Sequence, residues 1–390
     1  MTDFRAEAEA MRDRLIAWRR DFHMHPELAF KEERTAGIIA GHLEQLGYQV
    51  RTQVARTGLV SVLQGAQPGP VVALRFDMDA LPITEETGAE YASQAAGRMH
   101  ACGHDGHMAM GMGLAELLAA RRGQIKGAVK LLFQPAEEGG NGAEAMVKQG
   151  ALEEPRPDVF VATHVWIEKP VGTVDISAGP VMSACEKWNC SIRGQGGHGA
   201  MPHRTVDPVV AAAQVITALQ TVVSRNVHPL DTAVVSVGAI HGGEAFNVIP
   251  SEVKLTGTIR TYEPSTRELV LQRVREVIEG VAAACGASAE LEIRPLTPAV
   301  INDAKVADVL RRAGQAILGA EHVTSGERTM GSEDAAFFMQ DIPGCYFFLG
   351  AANKEKGLTF PHHNSRFDFD EEALVIGLAI LSKAAELYLM

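Results

Sequence analysis

The run Arg98-Met99-His100-Ala101-Cys102-Gly103-His104-Asp105-Gly106-His107 gathers a thiol, three imidazoles and a carboxylate into one short stretch. Thiolate and imidazole are the donor types that hold Zn²⁺ and neighbouring transition metals, and a Cys-x-His step can set both donors on one side of a turn leading into a helix. Any one of these residues alone reads as helix-entry polarity or as a small packing hydrophobe. Together they point to metal. The stretch lacks the CxxC pairs of a structural zinc module, so it predicts a site completed by distant carboxylates and histidines.

Those distant donors have candidates. Apolar runs at Val71 to Phe76, Ala128 to Phe133 and Val159 to Thr163 are followed, respectively, by Asp77-Met78-Asp79, Gln134-Pro135-Ala136-Glu137-Glu138, and His164. In open α/β sheets, active sites lie at the carboxyl ends of strands. Cys102, His104, Glu138, His164 and one of His362 or His363 could supply five ligands, enough for two metal ions that share a bridging group and keep positions open for water. The adjacent carboxylates Glu137 and Glu138 allow one to bind metal while the other stays free as a general base, because a ligated carboxylate has little capacity left for proton transfer. A lone Glu-Glu pair is ordinary surface polarity and a lone strand-end His an ordinary core residue. Here the pair sits between an apolar strand and Gly139-Gly140, and His164 keeps the company of the other donors, which favours the functional reading.

The elements that must position these groups follow from periodicity. A helix before Asp21, another from about Met108 to Arg121 and the strands between them predict an α/β fold with a mostly parallel sheet. The rhythm changes near Cys185. Strand-like Glu186 to Ile192, helical Pro208 to Arg225, strand-like Ala233 to Ile240 and Val253 to Ile259, helical Thr266 to Ala284 and strand-like Ala289 to Ile293 give the order β-α-β-β-α-β, the ferredoxin-like α+β pattern. Patterns of the first kind resume with Lys305 to Leu318, Gly344 to Leu349 and Glu371 to Leu389. The sequence therefore predicts a discontinuous catalytic domain, residues 1–184 and 296–390, carrying an inserted domain at 185–295, a length within the ordinary range for small domains.

Composition narrows the function classes. The 390 residues carry a formal net charge of -12, which argues against a nucleic-acid partner. Met1 to Arg20 is an amphipathic run rich in Arg and acidic residues, without the apolar stretch of a signal peptide or membrane span, so a soluble cytoplasmic protein is expected. The five cysteines are scattered and odd in number, as suits a reducing compartment, and Cys185, Cys190 and Cys285 read as packing residues.

His23-Met24-His25-Pro26-Glu27-Leu28, Asp77-Met78-Asp79-Ala80-Leu81-Pro82, the Cys-Gly-His-Asp-Gly-His run, Gln134-Pro135-Ala136-Glu137-Glu138-Gly139, Thr163-His164, Gly196-Gly197-His198-Gly199-Ala200, Asn247-Val248-Ile249-Pro250 and Gly331-Ser332-Glu333-Asp334 follow one another in order. Together they resemble the M20 metallopeptidase family, in particular its amidohydrolase branch of hippurate hydrolases, N-acyl-amino-acid amidohydrolases and auxin-conjugate hydrolases. The resemblance covers nearly the whole chain.

That resemblance implies a zinc-peptidase-like catalytic domain with a lid and dimerisation domain, and two divalent metal ions per subunit. Zinc is the thiolate-friendly default, with Mn, Co or Ni also accepted by a mixed S/N/O site. By position, Cys102 matches the bridging ligand, His104, Glu138 and His164 match terminal ligands, Glu137 matches the general base, and Asp79 matches the carboxylate that orients ligands. Counting back from Phe367 selects His363 as the last ligand, although Ser365 stands where the family usually has Pro. His100 and His107 match non-ligand positions. His198 resembles the family's histidine that polarises the scissile carbonyl, often from a partner subunit. Asn247 and Arg260 resemble residues that grip a substrate carboxylate, a role suited to the guanidinium fork. The implied reaction is hydrolysis of the amide of a small N-acyl or N-aroyl amino acid by a homodimer or homotetramer. Alternatives are a metal-free amidase with Cys102 as nucleophile activated by His104 or His107, an M20-type dipeptidase or deacetylase with other substrates, and a non-catalytic metal carrier, which would have no need of an unligated base at Glu137.

Overall fold

The computed structural model describes residues 3–390 and divides into two compact units. The first runs to Val181 and takes in Ile301–Arg328 and Asp334–Met390; the second is Met182–Val300 with Thr329–Glu333.

The first unit is built on a mixed eight-stranded sheet whose four central strands are Lys126–Gln134, Gln67–Asp77, Val159–Pro170 and Gly344–Ala352, all mutually parallel. These strands are largely apolar and buried over most of their length, as parallel strands covered by helices must be. Register aligns Asp77 with Gln134 and Arg75 with Ala162, so Asp77, Gln134 and His164 arrive at one level on the carboxyl edge. An antiparallel hairpin, Gln49–Val54 and Gly58–Gln64, extends one side of the sheet. The short strands Val174–Asp175 and Val323–Thr324 extend the other.

The helix His104–Ala119 is buried along nearly its whole length. It begins one turn before the apolar pattern that starts at Met108, because His104, Asp105 and His107 are buried polar residues that hydrophobic periodicity does not register. The apolar helix Glu372–Leu389 packs against it. One buried cation ties the assembly together. Arg19 is fully buried and its Nε donates to Asp105 Oδ2 at 2.8 Å, its Nη2 to Asp368 Oδ1 at 2.6 Å and its Nη1 to Glu371 Oε1 at 3.3 Å. The rings of Tyr91 and Phe369 lie 4.8 and 4.6 Å from its guanidinium.

The second unit is a four-stranded antiparallel sheet in the order Ala233–His241, Glu252–Thr261, Ala184–Arg193, Ser288–Thr297. Its helices Pro208–Thr221 and Pro264–Ala284 share an apolar core with Trp188, Ile192, Leu255 and Ile259. Both helices open with proline at the first position, where no amide donor is needed, and Asp207 Oδ1 accepts the Val209 N–H at 2.8 Å. The chain order is the β-α-β-β-α-β expected, and the α/β class with an inserted α+β unit is what the structure contains. The helix predicted to reach Arg225 ends at Thr221 and continues as the wider turn Val222–Asn226. Among the described residues, no helix is long and apolar enough to cross a membrane.

Replacing Arg19 with Met removes one partner from this buried ion network and leaves the carboxylates uncompensated. Chemical denaturation should show a loss of about 3–5 kcal/mol. A loss below about 1 kcal/mol would mean that Arg19 is not a keystone of the fold.

Candidate metal centre

The turn into the buried helix is made by Gly103, whose φ of +89° is left-handed and whose missing Cβ would lie 2.3 Å from Val165 Cγ2. Only glycine satisfies both the conformation and the contact. On either side of it stand Cys102 and His104. Cys102 Sγ is 3.4 Å from His164 Nε2, and His164 Nδ1–H donates to the Val165 carbonyl at 2.6 Å, leaving Nε2 with its lone pair toward the sulfur. His104 Nδ1–H donates to the Asp79 carbonyl at 2.8 Å. Its Nε2 is buried without a hydrogen-bond partner.

The paired glutamates are presented by a distorted turn. Ala136 is left-handed at φ 54°, ψ 44°, Glu138 departs from helical geometry at φ -68°, ψ 66°, and Gly139 has φ 82°. Three consecutive amides are held by carboxylates: Ala136 N–H by Glu32 Oε1, Glu137 N–H by Asp79 Oδ1 and Glu138 N–H by Asp79 Oδ2, each at 3.0 Å. Asp79 thus fixes His104 through its carbonyl and both glutamates through its side chain. Glu138 Oε1 lies 3.0 Å from His363 Nε2. His363 is itself left-handed at φ 66°, with its N–H on the Ala101 carbonyl at 2.8 Å. Its neighbour turns elsewhere: His362 Nε2–H donates to the Val165 carbonyl at 2.9 Å and its ring packs on Trp166 and Phe367.

The donor atoms converge. Cys102, His104 and His164 form one group, Cys102, Glu138 and His363 a second, and His104, Glu137 and Glu138 a third, each with ligand atoms within 4.8 Å of one another. Cys102 belongs to the first two groups.

The electrostatics suit a cation. Burial alone would discharge His104, but the charges of Asp77 and Asp79 prevail and raise its pKa to about 10. Burial, and after it the charges of Glu138 and Glu137, push the Cys102 thiol well above the ordinary thiol range. Burial, reinforced by His107 and His362, keeps His164 neutral, with its pKa well below the usual value. A site that retains protons on its sulfur and on one imidazole because carboxylates surround them gains when a divalent ion replaces those protons. His104 Nε2, buried without a hydrogen-bond partner, is the atom that would trade its proton for the ion, and the residues fit a metal centre.

Asp77 escaped the sequence reading. It is fully buried and resists burial's pull toward neutrality because Arg75, His104 and His107 hold its pKa well below the carboxylate range. Its Oδ1 accepts His107 Nδ1–H at 2.5 Å and its Oδ2 accepts Arg75 Nη1–H at 2.8 Å. His107 Nε2 accepts the Val165 N–H at 3.0 Å, so both ring nitrogens of His107 are engaged in bracing. The available signal was the other half of the Asp77-Met78-Asp79 motif. Asp334, from the Gly-Ser-Glu-Asp motif, accepts Gln134 Nε2–H at 2.6 Å and the Ala143 N–H at 3.0 Å, buttressing the glutamate turn from behind.

The remaining candidates lie in the second unit. His198 is exposed on a two-residue ladder opposite Val248, with its Nδ1 accepting the Ala200 N–H at 3.0 Å, and the Gly199 N–H reaches the Asn247 carbonyl at 2.8 Å. His198 and Asn247 are thereby neighbours. Arg260, on the Glu252–Thr261 strand, donates from Nε to Thr258 Oγ1 at 3.1 Å and from Nη1 to Ser332 Oγ at 2.9 Å.

The model of peptidase family M20/M25/M40 matches residues 73–387. The N-acetylcysteine deacetylase of Bacillus subtilis (strain 168) is 38% identical over 382 residues, 98% of this chain and 98% of the relative. The IAA-amino acid hydrolase ILR1-like 4 of Arabidopsis thaliana is 37% identical over 382 residues, 97% of this chain and 86% of the relative. Among solved structures, the Bacillus subtilis YXEP protein, described as a dinuclear metal binding peptidase from the M20 family, superposes with a TM-score of 0.86 at 36% identity, covering 97% of this chain and 98% of that one. The chain is a hydrolase and belongs to peptidase family M20/M25/M40.

Proposed function

We propose that this enzyme hydrolyses the amide bond of N-acyl or N-aroyl amino acids, releasing a carboxylic acid and a free amino acid. The observation that carries the reading is the pair of donor groups sharing Cys102 beside the adjacent carboxylates Glu137 and Glu138. The names of the two relatives, an N-acetylcysteine deacetylase and an IAA-amino acid hydrolase, support an amide between an acyl group and an amino acid.

Cys102, His104, Glu138, His164 and His363 would hold two divalent ions per subunit, with zinc, Mn, Co or Ni as candidates. Bound there, such ions supply Lewis acidity that makes water acidic near neutral pH and polarises a carbonyl. Glu137 takes a proton from the attacking water as the new C–O bond forms, then delivers it to the leaving nitrogen as the C–N bond breaks. Asp79 keeps Glu137 and Glu138 in fixed and distinct places. In this reading His198 donates to the carbonyl oxygen as charge gathers there, and Asn247 and Arg260 bind the carboxylate of the amino-acid half. The 1–184 and 296–390 portion carries the chemistry, the 185–295 insertion brings substrate-binding groups, and the working form is a homodimer or homotetramer.

The cysteine-nucleophile alternative fits the surroundings of Cys102 less well: burial and the neighbouring carboxylates raise its pKa, whereas an activated thiol needs it lowered.

Glu137→Gln should lower kcat by roughly 10²–10⁴-fold with metal content retained, the range expected for loss of a general base, while Glu138→Gln should lose metal as well. Equal metal loss in both variants, measured by elemental analysis, would sink the assignment. Alkylation gives a second check. Cys102 should be protected in the metal-loaded enzyme and labelled after chelation, with the rate rising about tenfold per pH unit through the neutral range because only the thiolate reacts. Rapid stoichiometric labelling of the loaded enzyme would instead support the thiol nucleophile. Finally, if His198 serves a neighbouring subunit's site, mixing inactive His198→Ala and Glu137→Gln variants should restore partial activity. Absence of recovery, despite demonstrated subunit exchange, would confine His198 to its own chain.

A further inference from the structure

Glu32 lies in a charge-rich stretch, Lys31-Glu32-Glu33-Arg34, that reads as a solvated helix start. The structure buries it completely. Its side chain does not cap the helix Glu33–Gln45 that follows. Instead, Oε1 accepts the N–H of Phe30 and the N–H of Ala136, both at 3.0 Å, and Oε2 accepts the hydroxyl of Thr57 at 2.5 Å. All three partners donate, which an acceptor-only carboxylate is suited to satisfy.

Two of those partners are strained, and the third directly follows a strained pair. Phe30 has φ 60° and Ala136 φ 54°, both left-handed without being glycine, and Thr57 follows Ala55 at φ 53° and Arg56 at φ 74°. A residue with a Cβ holds such a conformation only where its surroundings over-determine it. At Ala136 the conformation turns the chain out of the Lys126–Gln134 strand and sets the direction of Glu137. Asp79 accepts the two amides after the turn, and Glu32 accepts the one that enters it. Packing reinforces the hold. A Cβ on Gly140 would lie 2.6 Å from Ala136 Cβ and 3.0 Å from Phe30 Cε2, so the two left-handed residues close around the far end of the same turn.

We propose that Glu32 is a positioning residue for the general base, acting by locking the left-handed turn at Ala136 so that the Glu137 carboxylate stays on the line of proton transfer. The proposal rests on the reading of Glu137 as base, yet its mechanical half, the locking of the turn, can be measured without turnover. It is a hydrogen-bonding role and not an electrostatic one. A glutamine at this position keeps an acceptor for Phe30 and Ala136 and can point its amide at Thr57 Oγ1. An aspartate keeps the charge but retreats by one methylene.

The test compares Glu32→Gln with Glu32→Asp in the full-length, metal-loaded enzyme on an N-acyl amino acid. Glu32→Asp should lower kcat by about 10²-fold, the scale of an ångström-level misplacement, with KM within about threefold and metal content unchanged. Hydrogen exchange across residues 134–141 should accelerate, in the metal-free protein as well. Glu32→Gln should retain kcat within about fivefold, slow exchange across 134–141 and an unshifted acid limb of the kcat/KM profile. Should Glu32→Asp fail to fold, Thr57→Val takes its place, since it removes one donor and frees the carboxylate to rotate; faster exchange over the same residues and a several-fold lower kcat are expected. Unchanged exchange at 134–141 in the aspartate or valine variant overturns the proposal, as does a glutamine variant as impaired as the aspartate one. If Glu137→Gln retains turnover, the reading of Glu137 fails by itself, and the exchange data still decide whether Glu32 locks the turn.

Discussion

Asp79 accepts the Glu137 and Glu138 amides on separate oxygens while its carbonyl receives His104 Nδ1–H. Two segments distant in sequence are thereby indexed to one residue just beyond the carboxyl end of a central strand. Hydrogen bonds to a charged group contribute roughly 1.5–3 kcal/mol each, and a buried carboxylate stripped of them carries its full desolvation penalty. The arrangement therefore has one low-energy form. Two identical side chains sit next to each other in sequence, and what distinguishes them is that their amides are bound to different oxygens of the same group, so each carboxylate leaves the backbone in its own direction.

The same corner of the molecule concentrates negative charge that burial would ordinarily forbid. Asp77 survives as an anion because Arg75 and His107 share its oxygens. That charge raises the proton affinity of His104 against the effect of burial, and it adds to burial in raising that of Cys102. Such a site stores unfavourable energy in the protein alone. A cation bound there would relieve it, and its affinity would then be linked to pH and to the stability of the surrounding elements.

Much of the fold was legible because it rests on period and burial. The parallel core strands are largely apolar runs, interrupted singly by Arg75 and Lys130, and the inserted unit alternates in a way that reveals its β-α-β-β-α-β order. The edge hairpin Gln49–Val54 and Gly58–Gln64 went unseen, since its first strand is largely polar and exposed. The start of the helix His104–Ala119 was hidden because its first turn buries imidazoles and a carboxylate in place of hydrocarbon. At the metal centre, residue types and their positions after strands brought forward the thiol, the histidines and the paired glutamates. What they could not expose were the supports. Asp77 looks like its neighbour Asp79, and Glu32 looks like any surface glutamate, until the chain is folded and their acceptors are counted. The contrast between His362 and His363 belongs to the same class: adjacent, chemically identical, and separated only by a left-handed residue that turns one ring toward Glu138 and leaves the other on Trp166.

The interior strand Gly344–Ala352 pairs with Val159–Pro170 in the middle of the sheet, although the whole second unit is translated between them. His363 comes later still. A nascent chain thus exposes Cys102, His104, Glu138 and His164 long before the sheet that aligns them has its last central strand. The Met182–Val300 segment, by contrast, has a core of its own once it leaves the ribosome. Assembly of the donor set is therefore a late event in biogenesis. Any ion arriving early would meet an incomplete group of these donors, which is complete only once the carboxy-terminal segment has closed the sheet.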